Sequence, residues 1–404
     1  MSQYELVPVD EALAIVNSVA RPLATEPVRT ADAIGRVLGE DVVSPEDVPP
    51  FRASTVDGFA VIAADPAPVR RVIHEITAGV VAEPRVEPGT AAKIMTGAPI
   101  PDGADAVAMI EYTRFENGTV RLERPVRANE NVRGIGIDVG KGDVMLSRGA
   151  IIGPAEIGLL MTLGCTEVSC YRRPTVAVLS TGDELVEPWE LVPTGSIRDS
   201  NRFAIMAAIS EAGGIPVSLG HVKDDRDLQA TKVRDGIAQA DVLVTSGGVS
   251  VGDRDFIKPA LEQIGKVHFG RIAFRPGMPL TFAEVGDKLA FGLPGNPVSS
   301  LVTFEVFVRP ALRRMQGDPH PMRPRIQVIA EHDFRRGGDR LEYHRAIVRW
   351  RDGQLFARST GSQISSRLLS MVGHNAMVIL EPGDGLVRAG EPLDAVLTGP
   401  IETE

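Results

Sequence analysis

Cysteine is almost missing: Cys165 and Cys170 are the only two in 404 residues. Two thiols cannot build a disulfide framework or a structural zinc site, so both read as small, semi-buried apolar groups. Basic charge is also short, with 43 Lys and Arg against 53 Asp and Glu and a net charge of −10. A chain of that sign lacks the electrostatic footprint of a general nucleic-acid binder. No apolar run approaches the roughly 18 to 20 residues that span a bilayer. The start, Met1-Ser2-Gln3-Tyr4-Glu5-Leu6, has no basic stretch leading into an apolar one. A cytoplasmic protein without membrane or nucleic-acid partners is expected. Internal repeats, a Walker A loop, a GxGxxG fingerprint and any spacing that suggests Ser-His-Asp are missing too. His221, His268 and His344 read as structural or rim residues.

What is present is a turn-rich globular composition, 43% hydrophobic with 41 Gly and 30 Pro. At roughly 150 residues per domain, the length predicts two to four units. Residues 8–40 read as helical, with acids at the start and Leu13, Val16 and Ala20 at helical spacing, before Pro49-Pro50. From about 51 to 141 the texture is β. Asn117-Gly118 between short runs is a hairpin signal, because both central positions of that turn need positive φ. Helical spacing returns at Pro154 to Met161, so residues 46–141 read as an insertion between two helical parts, 1–45 and 142–173. Residues 174–321 alternate apolar strands (Thr175 to Leu179, Asp241 to Thr245) with helices near 200–213, 226–240, 254–264 and 297–315. That alternation predicts βαβ crossovers and a mainly parallel sheet. Residues 322–404 return to short strands and Gly turns, a small β barrel or sandwich.

Loops at strand ends carry the chemistry. Thr245-Ser246-Gly247-Gly248-Val249-Ser250 follows a buried strand and precedes a helix, where glycines and the helix N-terminus can receive an anion, or simply make a tight turn. Asp253 and Asp255 in the next turn either cap the helix or hold a cation that bridges a phosphate. Gly292-Leu293-Pro294-Gly295-Asn296-Pro297 offers a second such loop, with Asn296 at the N-cap and Pro297 at the first helical position. Ser180-Thr181-Gly182-Asp183-Glu184 is a third, whose acids suit Mg²⁺ if the loops share one sheet edge. Arg271 and Arg275, four apart, would share a face on an even strand, either as ordinary surface arginines or as a guanidinium fork for an oxyanion.

Five stretches complete a pattern: Ser54 to Val61, Ile94 to Pro99, Ser180 to Leu185, Ser246 to Asp255 and Gly292 to Pro297. Together, in order and across almost the whole chain, they resemble the MoeA-type molybdopterin molybdenumtransferases, a family that includes the E domain of gephyrin. The resemblance implies a multidomain α/β plus β fold: a helical domain carrying an inserted β domain, a molybdopterin-binding three-layer α/β domain with a mainly parallel sheet, and a C-terminal β-barrel. It also implies Mg²⁺-dependent insertion of molybdate into adenylylated molybdopterin with release of AMP. A homodimer is implied as well, its cleft completed by the partner subunit, with the molybdopterin adenylyltransferase of the preceding step as a candidate partner.

Carried over position by position, the catalytic set resembles Asp57, Thr96, Asp138, Glu184, Asp224 and Asp255, with Glu184 and Asp255 as metal ligands. The molybdate set resembles Arg271, Arg275, Arg345 and Ser362, and the phosphate and pterin set Ser246, Gly247, Gly248, Ser250, Gly295 and Asn296. The family often has lysine where Arg271 and Arg275 stand, and commonly another where this chain has Met278. Two rivals stand beside this reading. A molybdopterin adenylyltransferase resembles the α/β domain alone and usually carries a Thr-Gly-Gly-Thr-Gly loop, from which Ser246 to Ser250 departs. A non-catalytic gephyrin-like scaffold would not require the cluster of acids and arginines.

Overall fold

A computed structural model describes residues 5–77, 79, 85–249 and 256–403. The chain divides into two compact units. The first comprises Met1–Gly39, Gly149–Gly153 and Glu167–Glu404, and the second Glu40–Arg148 and Pro154–Thr166. No helix among the described residues is long and apolar enough to cross a membrane.

In the first unit six strands form one sheet: β1 Thr175–Thr181, β2 Ile215–Val222, β3 Val242–Ser246, β4 Lys266–Phe269, β5 Thr281–Val285 and β6 Lys288–Leu293. Their spatial order is β2-β1-β3-β6-β5-β4, parallel through β2, β1, β3 and β6 and antiparallel at β5 and β4. Both faces are covered, and the period-two alternation of a strand shows how. Val176, Val178, Val242 and Val244 point into one core with Ile205 and Ile209 of the helix Asn201–Glu211. Ala177, Leu243 and Ala290 between them point into the other, with Val233, Ile257 and Leu261 from the helices Arg226–Gln239 and Ile257–Ile264. The expected helix near 297–315 is continuous but contains a π-helical stretch, Phe304–Val308.

Five further strands close on themselves: β7 Arg325–Ala330, β8 Leu341–Arg351, β9 Gln354–Ser359, β10 Ala376–Leu380 and β11 Pro392–Leu397. The circuit β8-β9-β7-β11-β10 returns to β8, which leaves no free edge and makes a barrel rather than a sandwich. Its interior is small and apolar, with Ala346, Val348, Ala357, Val378 and Ala395 all fully buried.

Helix does not run through residues 8–40. It covers Val9–Val19 and stops, and Thr25–Arg29 is a strand paired with Glu167–Tyr171. Pro22 and Pro27 are the cause, since each lacks an N–H and pushes its predecessor out of the helical region.

The second unit holds a six-stranded mixed sheet. The expected hairpin is there: Thr113–Glu116 and Thr119–Leu122 pair antiparallel around Asn117 and Gly118, at φ 49° and 75°.

Candidate functional site

Three strand ends of the first unit converge. β1 leads into Gly182-Asp183-Glu184, β3 into Gly247-Gly248, and β6 into Pro294-Gly295-Asn296. The chain runs from β1 outward to β2 and then crosses back to β3, so β1 and β3 flank the point where strand order reverses. In open α/β sheets ligands bind outside the carboxyl ends of strands at that point. A cleft of about 620 Å³ opens there, lined among others by Glu184, Asp224, Ser246, Gly247, Gly248, Gly295 and Asn296.

Local chemistry explains the loops. Gly247 and Gly248 sit at φ 90° and 66°, a region that only glycine enters freely. A Cβ on Gly247 would also fall 2.6 Å from the Thr181 carbonyl oxygen. The Gly247 N–H donates to Leu293 O at 3.0 Å, which ties the β3 loop to β6. Asn201, first residue of its helix, donates from Nδ2 to Ser246 Oγ at 2.8 Å and to Gly295 O at 2.7 Å. One amide thus fastens two of the loops. Asn296 is the N-cap of the helix Pro297–Thr303, but its side chain does not cap. Its Nδ2 donates instead to Ser365 Oγ at 3.1 Å.

The acids lie at the same end. Glu184 folds its carboxylate over Gly182, where a Cβ would fall 2.6 Å from Oε2. Asp224 accepts at Oδ1 from Nε2 of Gln229 at 3.2 Å, and its N–H donates to Asp183 Oδ1 at 3.1 Å. Gln229 is fully buried. Among the described residues no group of three His, Cys, Asp or Glu side chains is arranged to hold a metal by itself. Ser250 and Asp255 lie outside the described residues.

A smaller cleft of about 360 Å³ is lined by Arg275, Arg335, Arg336, Glu342, His344, Arg345 and Gln363. Arg345 on β8 is completely buried, and the side-chain partner of its guanidinium is Ser370 Oγ, 3.3 Å from Nε and 3.1 Å from Nη2. No carboxylate among the described residues pairs with it, and burial pulls its pKa down to about 10. Arg275 is different: its Nη1 lies 2.8 Å from the buried Glu342 carboxylate. His344 also meets Glu342, at 2.9 Å, and burial nevertheless holds its imidazole below the ordinary range. His344 is therefore a lining residue of this cleft. Ser362 is not, but its neighbour Gln363 is, accepting from Arg345 N at 2.9 Å.

Arg271 lines neither cleft; its Nη2 lies 3.4 Å from Met278 Sδ. The even strand expected to align it with Arg275 does not form. Only Phe274–Arg275 is strand, because Pro276 and Pro279 follow and cannot donate to a ladder. The two clefts are nonetheless neighbours. Arg275 lines the smaller and Pro279 the larger, and Gln363 and Ser366 repeat that division. Gln363 and Ser366 are three residues apart, a length of chain that reaches about 10 Å at most.

Asp57, Thr96 and Asp138 belong to the second unit. Thr96 donates to Asp57 Oδ1 from its N–H at 2.7 Å and from its hydroxyl at 2.8 Å, which holds the exposed carboxyl below its usual range. Asp138 is paired with Arg133. Spacing did not mark Asn201, Gln229 or Arg336. The polar run Asp199-Ser200-Asn201 resembled only a helix cap, and Gln229 stands in an otherwise ordinary helix.

Residues 7–164 match the MoeA N-terminal region (domain I and II), residues 177–314 a probable molybdopterin binding domain, and residues 327–398 the MoeA C-terminal region (domain IV). The chain is 38% identical over 403 residues to the molybdopterin molybdenumtransferase of Bacillus subtilis (strain 168), across 97% of this chain and 94% of that one. It belongs to the MoeA family. Gephyrin of Dictyostelium discoideum is 36% identical over 462 residues, but the chain spans only 63% of gephyrin's length. Among solved structures, the molybdopterin biosynthesis MoeA protein of Pyrococcus horikosii superposes with a TM-score of 0.85 at 31% identity, over 98% of this chain and 100% of that one. A MoeA family member therefore carries two adjoining clefts, one glycine-rich and acidic, the other rich in guanidinium groups.

Proposed function

We propose that this MoeA family chain is a molybdopterin molybdenumtransferase, inserting molybdate into adenylylated molybdopterin and releasing AMP. The observation that carries this reading is Arg345, a fully buried guanidinium without a carboxylate partner among the described residues, in a cleft adjoining the strand-end loops. A buried charge demands a counter-charge, and a tetrahedral oxyanion supplies it through charge-assisted hydrogen bonds. Arg275, held by Glu342, lines the same cleft, whereas Arg271 is assigned to it by resemblance alone.

In the larger cleft the Gly247-Gly248 and Gly295-Asn296 loops receive the phosphates and pterin through backbone groups and short side chains, with Ser246 beside them. Glu184 and Asp224 fit a Mg²⁺ ion, because that ion takes one or two carboxylates together with substrate phosphates rather than a full protein cage. Asp255 is assigned with them by resemblance. When bound, Mg²⁺ would neutralise charge at the phosphoanhydride whose cleavage frees AMP. The chain's own part is to orient that linkage and keep the oxyanion next to the dithiolene sulfurs. A scaffold without activity has no need for an unpaired buried guanidinium.

The family resemblance further supports a four-domain organisation and a homodimer in which Asp57, Thr96 and Asp138 of one subunit complete the cleft of the other. AMP release from adenylylated molybdopterin tests the whole reading. Release should rise on adding molybdate, and release indifferent to molybdate would overturn it. Asp57→Ala and Glu184→Ala proteins, each inactive, should regain roughly a quarter of wild-type activity when subunits are randomly exchanged, as one cleft in each mixed dimer is intact. No recovery would place the site within one subunit.

A further inference from the structure

The smaller cleft carries more positive charge than its known residues use. Its lining includes Arg275, Arg335, Arg336 and Arg345 against one carboxylate, Glu342. Glu342 is already engaged by Arg275 at 2.8 Å and by His344 at 2.9 Å. Arg275 is thus offset, and Arg345 is not. Arg335 is exposed, so water answers it, whereas Arg336 is half-buried. Its Nε is buried and has no hydrogen-bond partner among the described residues. Glu381 and Glu391 line the cavity on its other side, about 300 Å³, and neither forms an ion pair with it.

The backbone that presents Arg336 is fixed. Its N–H donates to Gly385 O at 3.1 Å, and Gly383 N–H donates to Gly338 O at 2.7 Å. Phe334–Arg335 pairs with Leu386–Val387, and Phe334 is buried in the barrel. Gly337 presses so closely on the Arg275–Glu342 pair that a Cβ there would fall 1.8 Å from Glu342 Oε1. These contacts seat the loop with Arg336 on the cleft wall.

We infer that Arg336 is an oxyanion-binding residue of the smaller cleft, sharing with Arg345 the neutralisation of a tetrahedral dianion and setting the cleft's preference for charge −2 over −1. This rests on the reading of that cleft as the molybdate site. Apart from the solvated Arg335, two guanidinium groups without a carboxylate match two negative charges, whereas a tetrahedral monoanion of similar size leaves one of them uncompensated.

Molybdate and perrhenate separate charge from shape, since both are tetrahedral oxyanions of transition metals. Isothermal titration of the full-length protein with each should show wild type preferring molybdate. Arg336→Gln should weaken molybdate binding about 10- to 100-fold, the effect of one lost charge-assisted hydrogen bond, and should change perrhenate binding far less. Arg336→Lys, which keeps the charge, should retain most of the preference, and it carries the test if Arg336→Gln melts early. Molybdate binding lost in Arg345→Gln but unchanged in Arg336→Gln would overturn the role of Arg336 and leave the cleft assignment standing. Unchanged binding in both variants would overturn both. Equal losses of molybdate and perrhenate affinity in Arg336→Gln would overturn the charge selectivity.

Discussion

Arg345 and Arg172 show how one residue type serves opposite ends. Arg172 meets Asp241 with two parallel bonds of 2.6 Å, and Asp241 also accepts from Thr175 N at 2.8 Å. The pair fixes the first residues of β1 and β3 in register, since Asp241 N–H donates back to Thr175 O at 2.9 Å. Burial pushes the Asp241 carboxyl up, but the Arg172 and Thr175 hydrogen bonds outweigh it and hold the group below its ordinary value. A folded-state pKa below the unfolded one means stability that is fully present above the unfolded value of about 4 and is lost as pH falls on through the lower, folded value. Asp241→Asn should therefore cost about 2 kcal/mol at pH 7, and the gap to wild type should narrow steadily as pH falls below about 4. Urea unfolding at pH 7 and at a series of values below about pH 4 checks this; a gap that does not narrow along that series would show that the carboxylate charge is not its source. Arg345 has no such partner among the described residues, and it is the group to which the proposed function assigns the oxyanion.

Among elements, those whose information is local were legible. Asn117-Gly118 names its own turn, because only such residues take two successive positive φ values cheaply. The apolar runs of β1 and β3 name strands covered on both faces, and the glycine loops after them follow directly. What failed was longer in range. Periodicity in residues 8–40 hid Pro22 and Pro27, and the true partner of Thr25–Arg29 lies at Glu167–Tyr171, far along the chain. Arg271 and Arg275 look like one face of a strand until Pro276 and Pro279 are counted. Asn201 and Gln229 have no local signature, since their importance comes from atoms on other loops, Ser246 and Gly295 for one and Asp224 for the other. The motif residues at strand ends were readable because glycine is needed where a backbone takes positive φ and approaches another group closely, as Gly247 does at Thr181.

Two folds of one unit, the mainly parallel sheet and the barrel, meet at the adjoining clefts. The parallel sheet supplies strand-end loops at its switch point, and the barrel supplies a buried guanidinium from β8. Two chain segments, 275–279 and 363–366, line both clefts in turn, so the clefts adjoin as the proposed function requires. The central claim is this division of labour. A crystal of the protein soaked with molybdate and AMP, with diffraction recorded at the molybdenum absorption edge, tests it most directly. The account predicts an anomalous peak beside Arg345 in the smaller cleft and AMP phosphate density against the Gly247-Gly248 loop in the larger. Molybdenum bound among the glycine loops, or anywhere away from Arg345, would contradict it.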